Sequence, residues 1–404
     1  MSTQTHHGQA SLFGADTSTR RHPRHVLSYG LGLDSTAVLL RWLTDPSSRD
    51  FDLSDLVVIT AMTGDEFSAT GADVERYVLP ELRRHRVRFV QVGRHQLLTT
   101  AAGEGITTFS DTTEPDRLFV EGAYALSTEM LTAGTLPQRG GARKCSARAK
   151  GAVLDPVIAR LTGGQPYQHY VGFELDETGR AERDAAYNTA ARTGRYPLEW
   201  GWDRARCTDV IAEVTGRRWS KSACGFCPFA MATASGRQAL VERYRREPHA
   251  GAQALFLELV ARSLNERQTL IAGGSAAELV DAAGLTEVQA HYQALLADKP
   301  HAVYEVRRLT RRSSKRTDGR GITARSVRAV AHGTREQMTR QLAAQPGDRH
   351  DGPDGITRHV LRARGTELPS LEHFYVVCPA VVEDKARPGF DEWWQEATSD
   401  AVLF

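Results

Sequence analysis

The 404-residue sequence has few cysteines and no long apolar run, and each shortage excludes a class of protein. Five cysteines are too few for a disulfide framework in a chain of this length. No apolar segment reaches the roughly 20 residues that a transmembrane helix needs. Residues 1–24 are polar and lack the apolar core of a signal peptide, so we expect a disordered N-terminus and a cytoplasmic protein with no membrane partner.

The sequence also lacks an excess of either charge. Lysine and arginine total 51 and aspartate and glutamate total 49, so the net charge of +2 gives no global field that favours nucleic acid. Basic residues are nevertheless concentrated in the stretch that begins at Arg307 and ends at Arg328. That stretch fits either a nucleic-acid backbone contact or a solvated basic loop. No DNA-reading or RNA-reading motif accompanies it.

A repeated strand–loop–helix pattern is present in the first half of the chain. The pattern predicts strands over residues 25–28, 56–61 and 87–93, helices over 35–43 and 70–86, and a loop over 101–116. It indicates an α/β fold with a doubly wound, mostly parallel sheet. We predict a nucleotide-binding domain with a cysteine cluster over 25–235, a helical region over 236–300 and a mixed α+β region over 301–404.

A glycine-containing loop lies between the first predicted strand and the first predicted helix, in the sequence LSYGLGLDSTAVLL. The N–H groups and the dipole at a helix N-terminus favour an anion there. A Walker loop needs a lysine that this loop lacks, and a dinucleotide fingerprint needs glycine where Ser35 stands. The alternative is a turn that contains glycine only for steric reasons.

The loop resembles the PP-loop of the ATP pyrophosphatase superfamily, whose motif is SGGxDS[ST]. Tyr29 and Leu31 depart from that motif. The resemblance implies that the loop holds the pyrophosphate of ATP. The matching residues, which are therefore candidates for ATP binding, are Ser28, Gly30, Gly32, Asp34, Ser35 and Thr36.

Three later segments resemble, in the same order, the branch of this superfamily that is related to phosphoadenosine phosphosulfate reductase. TAMTGDEF contributes Gly64, with Met62 where the family has aspartate. VGFELDETGRAER contributes Glu177 and Arg180, and PLEWGWDRARCTDV follows it. The resemblance covers residues 25–235 and implies a HUP-like fold for them, and no motif after residue 235 matches.

The cysteines have a spacing that suits a soft metal. Cys224 and Cys227 are spaced CxxC, which fits zinc, an iron–sulfur cluster or a redox dithiol. The gap that separates them from Cys145 is similar to that in iron–sulfur sulfonucleotide reductases of the same branch. The resemblance implies a 4Fe-4S cluster on these three residues, with zinc as the alternative. Cys207 is either a fourth ligand or a buried helix cysteine.

The resemblance implies an enzyme that adenylylates a substrate with ATP and releases pyrophosphate. Mg²⁺ is expected to bridge the phosphates near Asp34, a candidate catalytic residue, or near Glu177. Arg143, Lys150 and Arg180 are candidates for neutralising charge at the α-phosphate.

The resemblance includes the PP-loop sulfurtransferases, among them the one of DNA phosphorothioation. Sulfur transfer to a nucleic acid or a small molecule is therefore expected, with a cysteine desulfurase as sulfur donor. One alternative is a phosphoadenosine phosphosulfate or adenylyl-sulfate reductase, which the lack of a cysteine in the tail disfavours. The other alternative is a partner subunit that binds ATP without turnover.

Overall fold

The structure is a computed structural model, and it describes residues 22–120, 124–137, 144–312 and 321–399. The first half of the chain forms a six-stranded sheet. Its strands are β1 (His25–Ser28), β2 (Leu56–Met62), β3 (Arg88–Arg94), β4 (Ile106–Thr112), β5 (Tyr167–Val171) and β6 (Arg192–Arg195). The helices of this half are α1 (Leu33–Thr44), α2 (Ser68–Asp73), α3 (Leu79–Arg84), α4 (Leu126–Ala133), α5 (Lys144–Ser146), α6 (Ala152–Thr162), α7 (Thr178–Ala185) and α8 (Arg204–Thr215).

The sheet is mostly parallel, and β1 lies near its centre. The strand order is β4-β3-β2-β1-β5-β6. Only the β3–β4 pair is antiparallel. The chain runs outward from β1 through β2 and β3 and then returns to the other side of β1 with β5, so the strand order reverses at β1. Loops that follow parallel strands at such a reversal form the usual ligand crevice of α/β sheets.

Helices cover both faces of this sheet, because apolar side chains of its strands point alternately to either side. Val26 and Ile59 pack with Val153 of α6 on one face. Leu27 and Val58 pack on the other face, in a cluster that includes α1 and α8. This arrangement confirms the prediction of an α/β fold with a mostly parallel sheet.

Two local predictions need correction. The predicted loop over 101–116 is wrong, because it contains β4, whose Phe109 ring packs on Gly93 of β3 and stacks on Phe119 at 5.8 Å. The predicted helix over 70–86 begins two residues early, at Ser68, and a π-helical turn over Val74–Val78 interrupts it before Pro80. Proline has no N–H for the ladder, which accounts for the irregular turn that precedes it.

The second half forms a helical layer and an antiparallel sheet of six strands. The helices are α9 (Ala234–Arg246), α10 (Pro248–Leu264), α11 (Ala276–Ala282), α12 (Thr286–Ala297), α13 (Arg335–Ala343) and α14 (Phe390–Ser399). The strands are β7 (His301–Arg311), β8 (Ile322–Gly333), β9 (Asp348–Asp351), β10 (Thr357–Arg362), β11 (Ser370–Pro379) and β12 (Lys385–Ala386). Their order is β12-β8-β7-β11-β10-β9. Phe256 and Val260 of α10 pack on one face of this sheet, and Met338 of α13 packs on the other.

Helix α4 is bonded to both sheets. At its N-terminus, the N–H of Leu126 donates to the carbonyl oxygen of Thr63 at 2.9 Å, in the loop after β2. At its C-terminus, the carbonyl oxygen of Ala133 accepts a hydrogen bond from Arg325 of β8 at 2.6 Å and another from Lys385 of β12. Within the described residues, no helix combines the length and the apolar character that a membrane span requires.

Candidate functional site

The loops after β1, β2 and β5 meet at the carboxyl end of the first sheet. A Cβ atom on Gly172, which directly follows β5, would lie 2.8 Å from the backbone nitrogen of Ser35 in α1. The loop after β5 therefore lies directly against the start of α1, and this close approach requires glycine. Gly172 was not singled out from the sequence, although it stands inside the VGFELDE segment.

The glycine loop after β1 has a strained residue at its tip. Leu31 has a φ of 59°, which is a left-handed conformation that side-chain-bearing residues seldom adopt. Its side chain is buried, and its carbonyl oxygen accepts a hydrogen bond from the indole nitrogen of Trp219 at 3.2 Å. The hydroxyl of Ser222 donates to the carbonyl oxygen of Gly30 at 2.8 Å. Residues 219–222 thus fix the loop, and no motif in the sequence points to them.

Two residues of the predicted ATP-binding set, Ser35 and Thr36, already form hydrogen bonds within the loop. The N–H of Gly30 donates to the Ser35 hydroxyl at 3.2 Å, and that hydroxyl lies 3.3 Å from the carbonyl oxygen of Gly32. Thr36 is fully buried, its N–H donates to the Gly32 carbonyl oxygen at 3.0 Å, and its hydroxyl pairs with Tyr29 at 3.1 Å. Thr36 therefore holds the loop together through both of its polar groups, whereas Gly32 remains beside the helix N-terminus.

Ser28 ends β1 and is oriented by a histidine. Arg192 can only donate, and its Nε lies 2.9 Å from Nδ1 of His169, so the proton of the neutral ring is on Nε2. Burial lowers the pKa of His169 to about 4, so the ring is neutral near pH 7. Nε2 donates to the Ser28 hydroxyl oxygen at 2.7 Å. The hydroxyl hydrogen of Ser28 is left to donate to an anion.

Asp34 lies in the first turn of α1, within a group of charged residues. Its Oδ2 is 3.9 Å from Nη2 of Arg204, which also donates to the fully buried Glu174 at 2.8 Å. Burial raises the pKa of Asp34 to about 6, Arg204 opposes this effect, and Glu177 and Glu174 reinforce it. Oδ1 of Asp34 is buried and has no hydrogen-bond partner among the described residues.

Glu177 and Arg180 lie in the same group, where Glu177 ends a short 3-10 turn after β5 and Arg180 lies in the first turn of α7. Glu177 forms an ion pair with Arg180, and the guanidinium group of Arg180 lies 4.4 Å from the centre of the Phe173 ring. Glu174 and Arg204 are not among the predicted site residues, although both stand in the segments that carry the resemblance.

The loop after β2 packs on the CxxC turn. Nζ of Lys150 forms an ion pair with Glu66 at 3.2 Å, and the Thr63 hydroxyl donates to the other Glu66 oxygen at 2.5 Å. The Thr63 hydroxyl also lies 3.5 Å from the sulfur of Cys224. Burial raises the pKa of Cys224 well above its ordinary value, Glu66 adds to the shift, and Thr63 and Lys150 oppose it.

Gly64 lies in this loop with a φ of 80°. Lys150 is close enough to Cys224 and Cys227 for both to affect its pKa. Burial lowers the pKa of Lys150, but Glu66, Cys224 and Cys227 outweigh burial, and the net pKa is raised. Lys150 therefore stays a cation near pH 7.

The cysteines lie in different hydrophobic clusters. Cys145 and Cys224 pack on a cluster that contains Phe67 and Phe226, and Cys227 closes the turn through its N–H to the Cys224 carbonyl oxygen at 3.0 Å. Cys207 is fully buried in the cluster that contains α1 and α8, where burial raises its pKa to about 12. The structure thus favours the buried-helix alternative for Cys207.

Metal-ligating side chains are not gathered into a ready site in the described ranges. No group of three or more His, Cys, Asp or Glu side chains there is arranged to hold a metal ion. Arg143, a predicted catalytic residue, lies outside the described residues.

Arginines of the basic stretch have partners within the protein. Arg307 pairs with Asp391 at 2.8 Å and Arg328 pairs with Glu305 at 2.8 Å. Arg308 pairs with Glu372, Arg311 stacks on Trp393 at 3.5 Å, and Arg325 bonds to α4. The rest of the stretch, residues 313–320, lies outside the described residues, so nucleic-acid contact through it stays a prediction.

Comparison with known proteins adds no relative to this picture. No protein-family model matches the chain, and neither the curated proteins nor the solved structures contain a match.

Proposed function

We propose that this chain is an ATP-dependent enzyme of the PP-loop type, with a HUP-like first sheet, that adenylylates a substrate and releases pyrophosphate. The observation that carries the proposal is the buried, unpartnered Oδ1 of Asp34, beside a glycine loop at the reversal of strand order. A buried polar atom without a partner costs about 1–3 kcal/mol, so a ligand that supplies one is favoured.

The start of α1 offers a binding site for the pyrophosphate. The first N–H groups of a helix have no acceptor within it, and their dipoles favour negative charge. The hydroxyl hydrogen that His169 leaves on Ser28 adds a donor at the end of β1. Together these groups stabilise the negative charge that builds on pyrophosphate as it leaves the α-phosphate.

The carboxylates around Asp34 fit Mg²⁺. Mg²⁺ is usually held by one or two carboxylates together with substrate phosphates, and it neutralises phosphate charge when bound. Asp34 is the candidate ligand because one of its oxygens is unpartnered, and Glu177 and Glu174 are near enough to shift its pKa. Arg204 and Arg180 are the cations of the same group, so we assign them to the α-phosphate together with Lys150.

Sulfur transfer is the use we propose for the activated substrate, with a nucleic acid or a small molecule as acceptor and a cysteine desulfurase as sulfur donor. Cys145, Cys224 and Cys227 would hold a 4Fe-4S cluster or zinc. Thiolates suit both, two of the cysteines share one turn, and the third packs on the same cluster of side chains as Cys224. A cluster with three cysteine ligands supplies an open iron position for sulfide.

The test is the conversion of ATP to AMP and pyrophosphate by the full-length protein. Asp34→Ala should lower this rate at least about a hundredfold, because it removes the candidate ligand of the Mg²⁺ that would stabilise the developing charge. Asp209→Ala is the matched control, because Asp209 is an exposed aspartate on α8. ATP binding without any AMP from the wild type would show an ATP-binding subunit, and equal rates for both variants would overturn the site.

A further inference from the structure

A cavity of about 450 Å³ lies on the second sheet and belongs to no site described so far. Its walls come from the segment after α10, from β9 and β10, and from β11. Its volume falls within the usual range of small-molecule sites, which is about 300–1,000 Å³. The lining residues that decide its charge include Glu266, Arg267, Asp348, Arg362 and Arg364.

Other charges of the lining are already neutralised by neighbours. Arg358 is buried and pairs with Asp354 at 2.8 Å, and Arg349 pairs with Asp351 at 3.1 Å. Glu372 forms an ion pair with Arg308, which is buried and does not itself line the cavity. The paired groups form the frame of the cavity and carry little net charge into it.

Three arginines of the lining are free of such partners. Arg267, Arg362 and Arg364 form no ion pair with any residue that the structure describes. Arg267 and Arg364 also lie close enough to a third arginine, Arg308, to affect its pKa. Burial lowers the pKa of Arg308, the guanidinium groups of Arg364 and Arg267 lower it further, and Glu372 alone opposes them. Arg267 and Arg364 therefore both lie near Arg308 at this wall, and no described carboxylate forms an ion pair with either of them.

The strand that carries Arg362 is irregular at this point. The pairing of β10 with β11 shifts between Val360 and Arg362, which leaves Leu361 as an extra residue. A bulge of this kind redirects the side chains that follow it, and bulges are frequent beside binding sites. The exposed Leu361 and the start of the 363–364 segment thus face the cavity instead of continuing the ladder.

We propose that this cavity is a second anion site, which binds a nucleotide unit with its phosphate on Arg267 and Arg364. Guanidinium groups match phosphate oxygens in charge and in geometry. Glu266 and Asp348 also line the cavity and have no ion pair within the described ranges, so they accept hydrogen bonds. Inorganic phosphate is an anion that these carboxylates repel, whereas the ribose hydroxyls and base amino groups of a nucleotide donate to carboxylates.

The nucleotide unit has two sources, a free mononucleotide or a nucleic-acid strand, and both present the same phosphate. The test uses the full-length protein and three probes: AMP, adenosine and a fluorescein-labelled single-stranded DNA oligonucleotide. The variant is the double substitution Arg267→Ala and Arg364→Ala. Arg340→Ala is the matched control, since Arg340 is exposed on α13 and lines neither this cavity nor the first site.

We expect the double variant to weaken binding of a phosphate-bearing probe at least about tenfold, because it loses the charge-assisted hydrogen bonds of both guanidinium groups. Adenosine should bind the two proteins equally. A loss for AMP indicates a mononucleotide site, and a loss for the oligonucleotide alone indicates a nucleic-acid strand. If Arg340→Ala and the double variant bind every probe alike, the proposal is overturned.

A second pair of measurements separates this site from the one on the first sheet. Asp34→Ala should lose AMP formation from ATP and keep the probe affinity that depends on Arg364. Arg364→Lys, which keeps the charge and loses the fork of donors, should bind the probe with intermediate affinity. Circular dichroism of each variant shows whether it is folded, and a folded double variant with wild-type affinity would contradict the assignment.

Discussion

The two six-stranded sheets place their charged side chains differently. In the parallel sheet the polar residues collect at one end, because the loops after β1, β2 and β5 all emerge there. In the antiparallel sheet, charges are spread along the strands and are mostly paired across them, as with Glu305 and Arg328. A parallel sheet thus concentrates unpaired groups by topology alone, whereas the antiparallel sheet needs a bulge and loops to form its cavity.

Two carboxylates make the comparison quantitative. Burial raises the pKa of Asp34 to about 6. The hydrogen bond from His373 lowers the pKa of Glu305 to about 2, and the arginines Arg328 and Arg307 contribute in the same direction, against burial. The shifts have opposite signs because Oδ1 of Asp34 is buried without a hydrogen-bond partner among the described residues, whereas Glu305 accepts hydrogen bonds from His373 and Arg328.

The largest effect is expected where the loop after β5 packs against the backbone at the start of α1. Gly172→Ala places a Cβ atom 2.8 Å from the Ser35 backbone nitrogen, so the loop after β5 or the start of α1 must move. We expect unfolding to become easier by about 1–3 kcal/mol and AMP formation to fall at least about tenfold. Gly151→Ala is the control, because a Cβ there meets nothing within 4 Å. Equal losses in both variants would contradict this account.

Replacing Asp34 and Glu305 by their uncharged amides should change the stability of the fold in opposite directions. Deprotonation of Asp34 in the folded protein costs stability as the pH rises from its ordinary pKa of 3.8 to about 6. Asp34→Asn should therefore stabilise the fold by about 2 kcal/mol at about pH 8, and the gain should vanish by about pH 4.

Glu305 contributes stability above its ordinary pKa of 4.5 and loses it as the pH falls to about 2. Glu305→Gln should cost about 1 kcal/mol at neutral pH, after allowance for solvent screening. Urea unfolding of both variants across pH measures the pair. A destabilised Asp34→Asn protein at about pH 8 would remove the distinction between the two sheets.

A smaller effect is expected at the strained tip of the glycine loop. Trp219→Phe removes the hydrogen bond to the Leu31 carbonyl oxygen, which should cost about 1 kcal/mol in stability and weaken ATP binding several-fold. Trp200→Phe is the matched control, since Trp200 is 36% exposed. Isothermal titration with ATP compares the two proteins, and equal affinities would show that the loop keeps its shape without Trp219.

The smallest change is expected at Cys207. Cys207→Ala should leave the iron, zinc and acid-labile sulfide of anaerobically purified protein unchanged, because the thiol is buried between α1 and α8. Cys224→Ala should lower them if the CxxC turn holds the metal. Loss of metal in the Cys207 variant would return this residue to the ligand set.

Local patterns predicted much of the first sheet and little of what completes its site. β1 and β2 were recognisable as apolar runs, and the glycine loop between β1 and α1 was found from composition and order. Thr-rich β4 was missed because its residues are only partly buried, and strand pairing with β3 stabilises it. Trp219 and Gly172 act through contacts with residues far away in the sequence, which no local pattern reports.

The cavity on the second sheet was also invisible from the sequence. Arg267 and Arg364 are almost a hundred residues apart in the chain, and the packing of α10 on the antiparallel sheet brings them to the same wall. The basic stretch from Arg307 to Arg328 was more conspicuous. Its described arginines that have partners serve the fold, however, which shows that clustering in sequence is a poor guide to free charge.

The bonds of α4 have a consequence for how the protein is made. The Ala133 carbonyl oxygen obtains its partners from Arg325 and Lys385, which leave the ribosome long after α4 itself. Until then this carbonyl oxygen is left to water, although the hydrogen bond from Leu126 to the loop after β2 joins two residues that are already made. A nascent chain that has only reached residue 235 also lacks α9 to α12, which cover Phe67 and Phe226. The strands of the first sheet are therefore made early, whereas the side-chain cluster on which Cys145 and Cys224 pack is completed only after α12 has been made.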